Sequence, residues 1–144
     1  MRRVALAVLA VAMASCGVDF AGTYSGPGSI SGGTCSDGST FAPVNGEISI
    51  TVKELGSSEV EFTLFECTGV RGTVAGNTAS IKQTVCPPQK LKDGGNSTMT
   101  IRTGTLVLNG NSLTLSAGMV NQLNLASGAS GTCPQTASGT LARR

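Results

Sequence analysis

The sequence contains no histidine and no tryptophan, and five of its 144 residues are aromatic. A serine nucleophile needs a neighbouring base, usually histidine. The lysines offer no substitute, because none lies in a Ser-x-x-Lys pattern. A phosphate-binding glycine loop is also missing. We therefore expect that the protein is not an enzyme, and we predict no catalytic residue and no cofactor.

Charge is scarce as well, at 12% of the residues. Lys90 and Lys92 form one close basic pair, which is typical of a solvated loop and not of a nucleic-acid surface. Glu59 and Glu61 would share the wet face of one strand, so we expect solvated carboxylates and not a glycosidase pair. Asp37 alone falls short of a calcium site. The sequence predicts no nucleic-acid partner and no metal.

Long apolar runs are missing too: the longest, from Val4 to Ala14, has eleven residues, and a membrane span needs about 20. Arg2 and Arg3 precede this run, and the small residues Ala14 and Ser15 follow it. This order is that of a bacterial export signal. The remaining feature is a cysteine at position 16, directly after the small residues.

Met13-Ala14-Ser15-Cys16 resembles the lipobox of bacterial lipoproteins. The resemblance implies cleavage before Cys16, a diacylglycerol on its thiol, and an acylated amine such as a palmitoyl amide. Two or three acyl chains hold a soluble domain on a bilayer. Gly17 stands where many inner-membrane lipoproteins have aspartate, which favours the outer membrane. The alternative is a plain secretory signal with an incidental cysteine.

These features divide the chain into a lipoprotein signal peptide (1–15), a lipidated cysteine with a short tether (16–19) and one domain (20–144). Removal of Arg2 and Arg3 with the signal leaves eight basic and eight acidic residues, so the mature chain is formally neutral. We expect localisation in the bacterial cell envelope, with the membrane contacted through the N-terminal lipid.

Four cysteines remain in the exported chain: Cys35, Cys67, Cys86 and Cys133. An even number in an oxidising compartment predicts two disulfides, with three possible pairings. The rival interpretation is a zinc site, but spacings of 32, 19 and 47 residues resemble no zinc knuckle. Disulfides are therefore the prediction.

The domain is predicted to be all-β, because glycine, serine and threonine are abundant and the aliphatic residues alternate. Residues 47–55 and 59–67 form the clearest hairpin, with a turn at 56–58. Gly-Asn pairs predict two further hairpins, with strands near 69–75, 78–86, 97–108 and 112–116. Gly104 suggests a bulge or a bend. The first strand is placed at 20–30 and the last at 135–142, while residues 117–134 are ambiguous.

Eight such strands form an up-and-down meander that can close into a barrel without free edges; a β-sandwich is the alternative. Turns at 56–58, 76–77 and 109–111 fall at one end, called the bottom end here. The long loops at 31–45, 87–96 and 117–134 fall at the opposite top end, with a tight link at Thr68-Gly69. All four remaining cysteines then lie at the top end.

The cysteine pairing follows from this strand count. Cys67 and Cys86 would end strands that lie two apart, at about 9–10 Å, which is too far for a disulfide. We therefore expect Cys35–Cys67 and Cys86–Cys133.

The meander and the opening Gly22-Thr23-Tyr24 resemble small lipocalin-like β-barrels of bacterial lipoproteins. Such barrels are either filled or hollow. The residues predicted to point inward show no polar anchors among them: Ile48, Ile50, Val52, Val60, Phe62, Leu64, Ile81, Leu106, Leu108, Leu113 and Leu115. We therefore expect a filled core and a structural or interaction module with an envelope protein partner. The alternative is a carrier of a small apolar ligand.

Overall fold

The structure is a computed structural model that describes residues 17–144. Its regular elements in this range are all β-strands, and no helix there is long and apolar enough to cross a membrane. The predicted signal peptide (1–15) and the predicted lipidation site Cys16 lie outside the described residues. The twelve strands are β1 (Gly22–Ile30), β2 (Gly33–Thr34), β3 (Thr40–Phe41), β4 (Val44–Glu54), β5 (Glu59–Leu64), β6 (Cys67–Ala75), β7 (Thr78–Ile81), β8 (Thr84–Val85), β9 (Gln89–Lys90), β10 (Asn96–Asn109), β11 (Ser112–Asn124) and β12 (Ser130–Arg143).

Eight of these strands form a closed antiparallel ring in the order β1-β4-β5-β6-β7-β10-β11-β12, with β12 paired back onto β1. Strands that are neighbours in the ring follow one another along the chain, apart from the short β2, β3, β8 and β9. The predicted eight-stranded closed meander is therefore confirmed. The ring is not a regular barrel, because the β11–β12 ladder runs along all of Ser112–Asn124 whereas the β4–β5 ladder covers only residues 52–54 of β4.

Alternation along the strands fills the interior of the ring. In β5, Val60, Phe62 and Leu64 are buried, and the residues between them are more exposed. All eleven residues that the sequence predicts to point inward are buried. Phe20 and Tyr24 add the two largest fully buried side chains. The core is therefore packed with medium-sized apolar groups, as expected from the sequence.

Several element boundaries differ from the sequence prediction. The ambiguous residues 117–134 are mostly strand: β11 extends to Asn124 and β12 begins at Ser130. The tight link at the top lies at residues 65–66 and not at Thr68-Gly69, because Phe65 adopts a positive φ of 55° and reverses the chain there. The register shift in β10 lies at Arg102, between Ile101 and Thr103, close to the predicted bulge at Gly104.

Glycines bring β1 close to β12. A Cβ on Gly26 would lie 2.6 Å from the Thr140 carbonyl oxygen, and one on Gly28 would lie 2.8 Å from the Ser138 carbonyl oxygen. Gly28 faces Gly139 on one side and Gly46 on the other, so three glycines form one row across three strands. The glycines therefore lie where the backbones of β1 and β12 approach most closely. The outer face of the ring has an open groove of about 810 Å³ at this place.

Candidate functional site

Both disulfides lie at the top end of the ring, as predicted for all four cysteines. The bonds are Cys35–Cys133 and Cys67–Cys86, with Cα–Cα distances of 4.2 and 5.0 Å. The assignment of Cys35, Cys67, Cys86 and Cys133 to two disulfides is confirmed. The predicted pairing, Cys35–Cys67 with Cys86–Cys133, is wrong.

The strand registers explain the observed pairing. The β6–β7 ladder pairs Gly72 with Ile81, and the same register continued five residues along each strand places Cys67 opposite Cys86. Cys67 begins β6 and does not end β5, and Cys86 follows β8, in the chain segment that continues from β7 beside β6. The sequence prediction placed Cys67 at the end of the preceding strand, which led to a separation of two strands and to the wrong pairs.

The other disulfide extends the β1–β12 ladder. The Ser31 N–H donates to the Thr136 carbonyl at 2.8 Å. After a shift of one residue, the Ser36 N–H donates to the Thr132 carbonyl, and the Thr132 N–H donates to Ser36 Oγ, both at 2.9 Å. Cys35 and Cys133 are the adjacent residues in this shifted register. Each disulfide therefore joins two chain segments that already run side by side.

Three hairpin tips at the top end have the same conformation: residues 35–39, 91–95 and 125–129. In each tip the first residue donates its N–H to the carbonyl of the fifth at 2.8–2.9 Å, and its own carbonyl accepts from the fourth residue at 3.0 Å. That fourth residue is a glycine with φ between 83° and 90° in every case: Gly38, Gly94 and Gly128. Only glycine adopts this backbone without strain. The tips are thus three copies of one hydrogen-bonded turn.

Side-chain hydrogen bonds order two of these tips internally, and one hydrogen bond joins two tips. Asp93 Oδ1 accepts from the Gly95 N–H within its own tip, and its Oδ2 accepts from the Ala126 N–H of the next tip at 3.4 Å. Asp37 Oδ1 accepts from the N–H and the hydroxyl of Ser39, and these hydrogen bonds hold the pKa of Asp37 below its usual range. The top end is therefore clamped by hydrogen bonds as well as by disulfides.

The ring opens at the top into a recess of about 320 Å³, called the mouth recess here. Met99, Met119 and Phe65 contribute apolar surface to it. Asn121 and Gln135 lie at its edge and are partly buried, and the Asn121 side-chain amide donates to Gln135 Oε1 at 2.6 Å. The sequence analysis found no polar group in phase with the core. Asn121 belongs to the inward-pointing positions of β11, because it continues the alternating series of Leu115, Ala117 and Met119.

At the bottom end, the start of the described chain is bound to the ring. The Phe20 N–H donates to Glu54 Oε1 at 2.8 Å, and the Tyr24 hydroxyl donates to the Phe20 carbonyl at 3.1 Å. Arg143 binds Asp19 at 2.9 Å and lies over the Tyr24 ring at 5.8 Å. The hydrogen bond from Arg143 lowers the pKa of Asp19, while burial raises the pKa of Tyr24. The N-terminal segment therefore leaves the domain opposite the disulfides.

The carboxylates that were considered for catalysis lie on the outer face of the ring. Glu59 binds Lys82 at 2.7 Å, and Glu61 binds Arg71 at 3.5 Å. The hydrogen bond from Lys82 lowers the pKa of Glu59. These are cross-strand ion pairs at a solvated surface. Within residues 17–144, no group of three or more acidic or cysteine side chains is arranged to hold a metal ion.

Comparison of the chain with models of protein families, with curated proteins and with solved structures finds no match. The fold is thus described by its own geometry: an all-β ring of eight antiparallel strands with two disulfides at one end. The lipoprotein and lipocalin-like resemblances stay predictions.

Proposed function

We propose that this protein is a non-catalytic module of the bacterial cell envelope, anchored by lipid on Cys16, that presents its top end to a protein partner. The observation that supports this proposal is the separation of the two ends. Asp19 and Phe20 are fixed to the bottom end, and the disulfides and hairpin tips lie at the top end. An anchor that precedes Gly17 directs the top end away from the membrane.

The rigidity of the top end supports an interaction role. A surface that is ordered before binding loses less conformational entropy when a partner docks. Two disulfides and three hydrogen-bonded turns order this surface in the free protein. The outer membrane is the proposed location, on the argument from Gly17 given above.

The anchor is tested by metabolic labelling with radioactive palmitate in the native host. We expect label on the wild-type protein and none on a Cys16→Ala variant. Continued labelling of the variant would contradict the assignment of Cys16. Partition of the native protein wholly into the aqueous phase of a detergent split would contradict lipid anchoring altogether.

The orientation is tested by a photo-cross-linking amino acid placed at Ser127 in a top tip or at Ser57 in the bottom turn. Both positions are exposed. We expect one reproducible envelope protein cross-linked from position 127 and not from position 57. The same partner captured equally from both positions would contradict a specific role of the top end.

The mouth recess favours a second candidate function, the carriage of a small apolar ligand. Recesses of this size with apolar walls and a few polar groups are typical of ligand sites. Because the core below is filled, the ligand would lie at the mouth, beside Met119 and the Asn121–Gln135 pair. Native mass spectrometry of protein purified from its own host should then show an added mass, and a bare protein mass would contradict this candidate.

A further inference from the structure

The strand β4 extends past the end of its neighbour β5. The two strands pair only at residues 52–54 of β4. Continued in the same register, the ladder would place Leu64, the last residue of β5, opposite Ile50. Residues 44–49, called the overhang here, therefore lie above the end of β5. Within residues 17–144, no strand pairs with the overhang on the side away from β1.

The hydrogen-bond pattern identifies which backbone groups face this open side. In an antiparallel pair, alternate residues direct their N–H and C=O groups to opposite neighbours. The Leu55 N–H donates to the Glu59 carbonyl, so the odd-numbered residues of β4 point toward β5. The Ser31 N–H donates to the Thr136 carbonyl of β12, so the backbone groups of odd residues in β1 point away from β4. The even residues of β1 therefore pair with the even residues of β4, which again leaves the odd residues of β4 on the side of β5. The backbone groups of Asn45, Glu47 and Ser49 therefore face the open side.

An apolar recess of about 220 Å³ lies beside the overhang. Val44, Ile48 and Phe65 line it, and Val44 is 60% exposed although it is a large apolar residue. The recess is several times larger than the roughly 30 Å³ that a water molecule occupies in the liquid. It offers space for an apolar side chain next to an unpaired strand edge.

We propose that the overhang binds an extended segment of the partner polypeptide, which adds a strand to β4. The backbone of the segment would pair with Asn45, Glu47 and Ser49, and one of its apolar side chains would enter the recess beside Val44 and Phe65. Backbone pairing supplies affinity in such complexes, and alternate side chains supply specificity. The segment is thus one in which apolar and polar residues alternate.

A second copy of this chain is a poorer occupant than a different polypeptide. Antiparallel pairing of two complete overhangs brings the two Glu47 carboxylates directly opposite one another. Like charges in that position destabilise a strand pair. Each Glu47 has Arg144 at 3.1 Å, and both side chains are 65% exposed, so solvent screens the repulsion and the ion pair alike and the preference against a second copy is small.

This inference rests on the proposed interaction role and adds the class of partner and the place where it binds. Its first test needs no partner. In hydrogen exchange followed by NMR, the amides of Asn45, Glu47 and Ser49 should exchange at least tenfold faster than those of Gly46 and Ile48, which point to β1. Equal protection of both sets in the free monomer would mean that the edge is covered, and would overturn the proposal.

The second test uses the purified domain and a library of seven-residue peptides that alternate apolar and polar residues. We expect a selected peptide to bind and to slow the exchange of the Asn45, Glu47 and Ser49 amides. A peptide of the same composition without alternation is the control. Selection that enriches no peptide, or binding that leaves these amides unchanged, would overturn the proposal.

A matched pair of variants separates backbone from side-chain recognition. Glu47→Pro removes an N–H on the open side only, so the β1–β4 ladder is retained, and proline is accepted on such an edge. We expect it to weaken peptide binding roughly tenfold, as for one lost hydrogen bond, whereas Glu47→Ala should bind like the wild type. Equal affinities of both variants would contradict strand addition.

Two further outcomes distinguish this inference from the proposed function. Concentration-dependent dimerisation that protects the same amides would replace the partner strand by a second copy and overturn the proposal. If the edge binds no peptide while the top tips still cross-link one envelope partner, the interaction role stands and strand addition fails.

Discussion

Removal of the two disulfides one at a time should destabilise the domain unequally. Cys35 and Cys133 are 98 residues apart in the sequence, and Cys67 and Cys86 are 19 residues apart. In the chain-entropy description, a cross-link stabilises by restricting the unfolded chain, and its effect grows with the length of the closed loop. This gives about 4.7 kcal/mol for the long loop and about 3.3 kcal/mol for the short one.

The difference between the two values, about 1.4 kcal/mol, depends only on the ratio of the loop lengths. The variants are the double substitutions Cys35→Ala with Cys133→Ala, and Cys67→Ala with Cys86→Ala. All four side chains are buried, but only Cys67 and Cys86 pack in the main core, so any extra loss of core packing acts against the predicted order and cannot produce it. The comparison therefore isolates the effect of loop length better than either variant alone.

The free energy of unfolding is measured in guanidinium, with far-UV circular dichroism and the fluorescence of the single tyrosine, Tyr24, as probes. Coincident transitions establish two-state behaviour. We expect the variant without Cys35–Cys133 to be the less stable. An equal loss, or a larger loss without Cys67–Cys86, would refute the reasoning, since local strain or residual structure in the unfolded chain would then outweigh loop length.

Three other predictions concern pairing, packing and pH. The four disulfide cysteines fall in four different tryptic peptides, so mass mapping without reduction should recover 35 linked to 133 and 67 linked to 86; any other pair among these four would contradict the fold. Gly26→Ala should cost about 1–3 kcal/mol, because its Cβ would meet the Thr140 carbonyl, while Gly46→Ala has open space and should be near neutral in chemical denaturation. Since Arg143 lowers the pKa of Asp19, the stabilisation is present above about pH 4 and is lost as the pH falls through the folded pKa. Asp19→Asn should therefore lower the melting temperature at pH 7 and match the wild type at pH 2; a persistent difference at pH 2 would exclude this ion pair as the cause.

The sequence was informative where local patterns determine the structure. Alternation in residues 47–64 predicted the first hairpin, and Ile50 and Phe62 are buried on its inner face. Gly-Asn pairs predicted tight turns, and the glycines at 76 and 110 have positive φ as such turns require. These signals are short-range, so they do not depend on which strands become neighbours.

The errors arose where the outcome depends on distant parts of the chain. The turn at Phe65 was missed because a bulky residue rarely adopts positive φ, and this error moved Cys67 onto the wrong strand. A count outward from the Gly76-Asn77 turn would have placed Cys67 opposite Cys86. The overhang was unpredictable in the same way, since it depends on the end of β5 at Leu64.

The attachment of Asp19 and Phe20 to the ring limits how far this domain can move. If Cys16 carries the lipid, only Gly17 and Val18 remain free between the acylated residue and the first anchored one. Three residue steps span at most about 10 Å, and the fourteen residues of β12 reach about 45 Å at most. The hairpin tips would then lie at most about 55 Å from the leaflet, so a partner that binds them would have to reach within that distance.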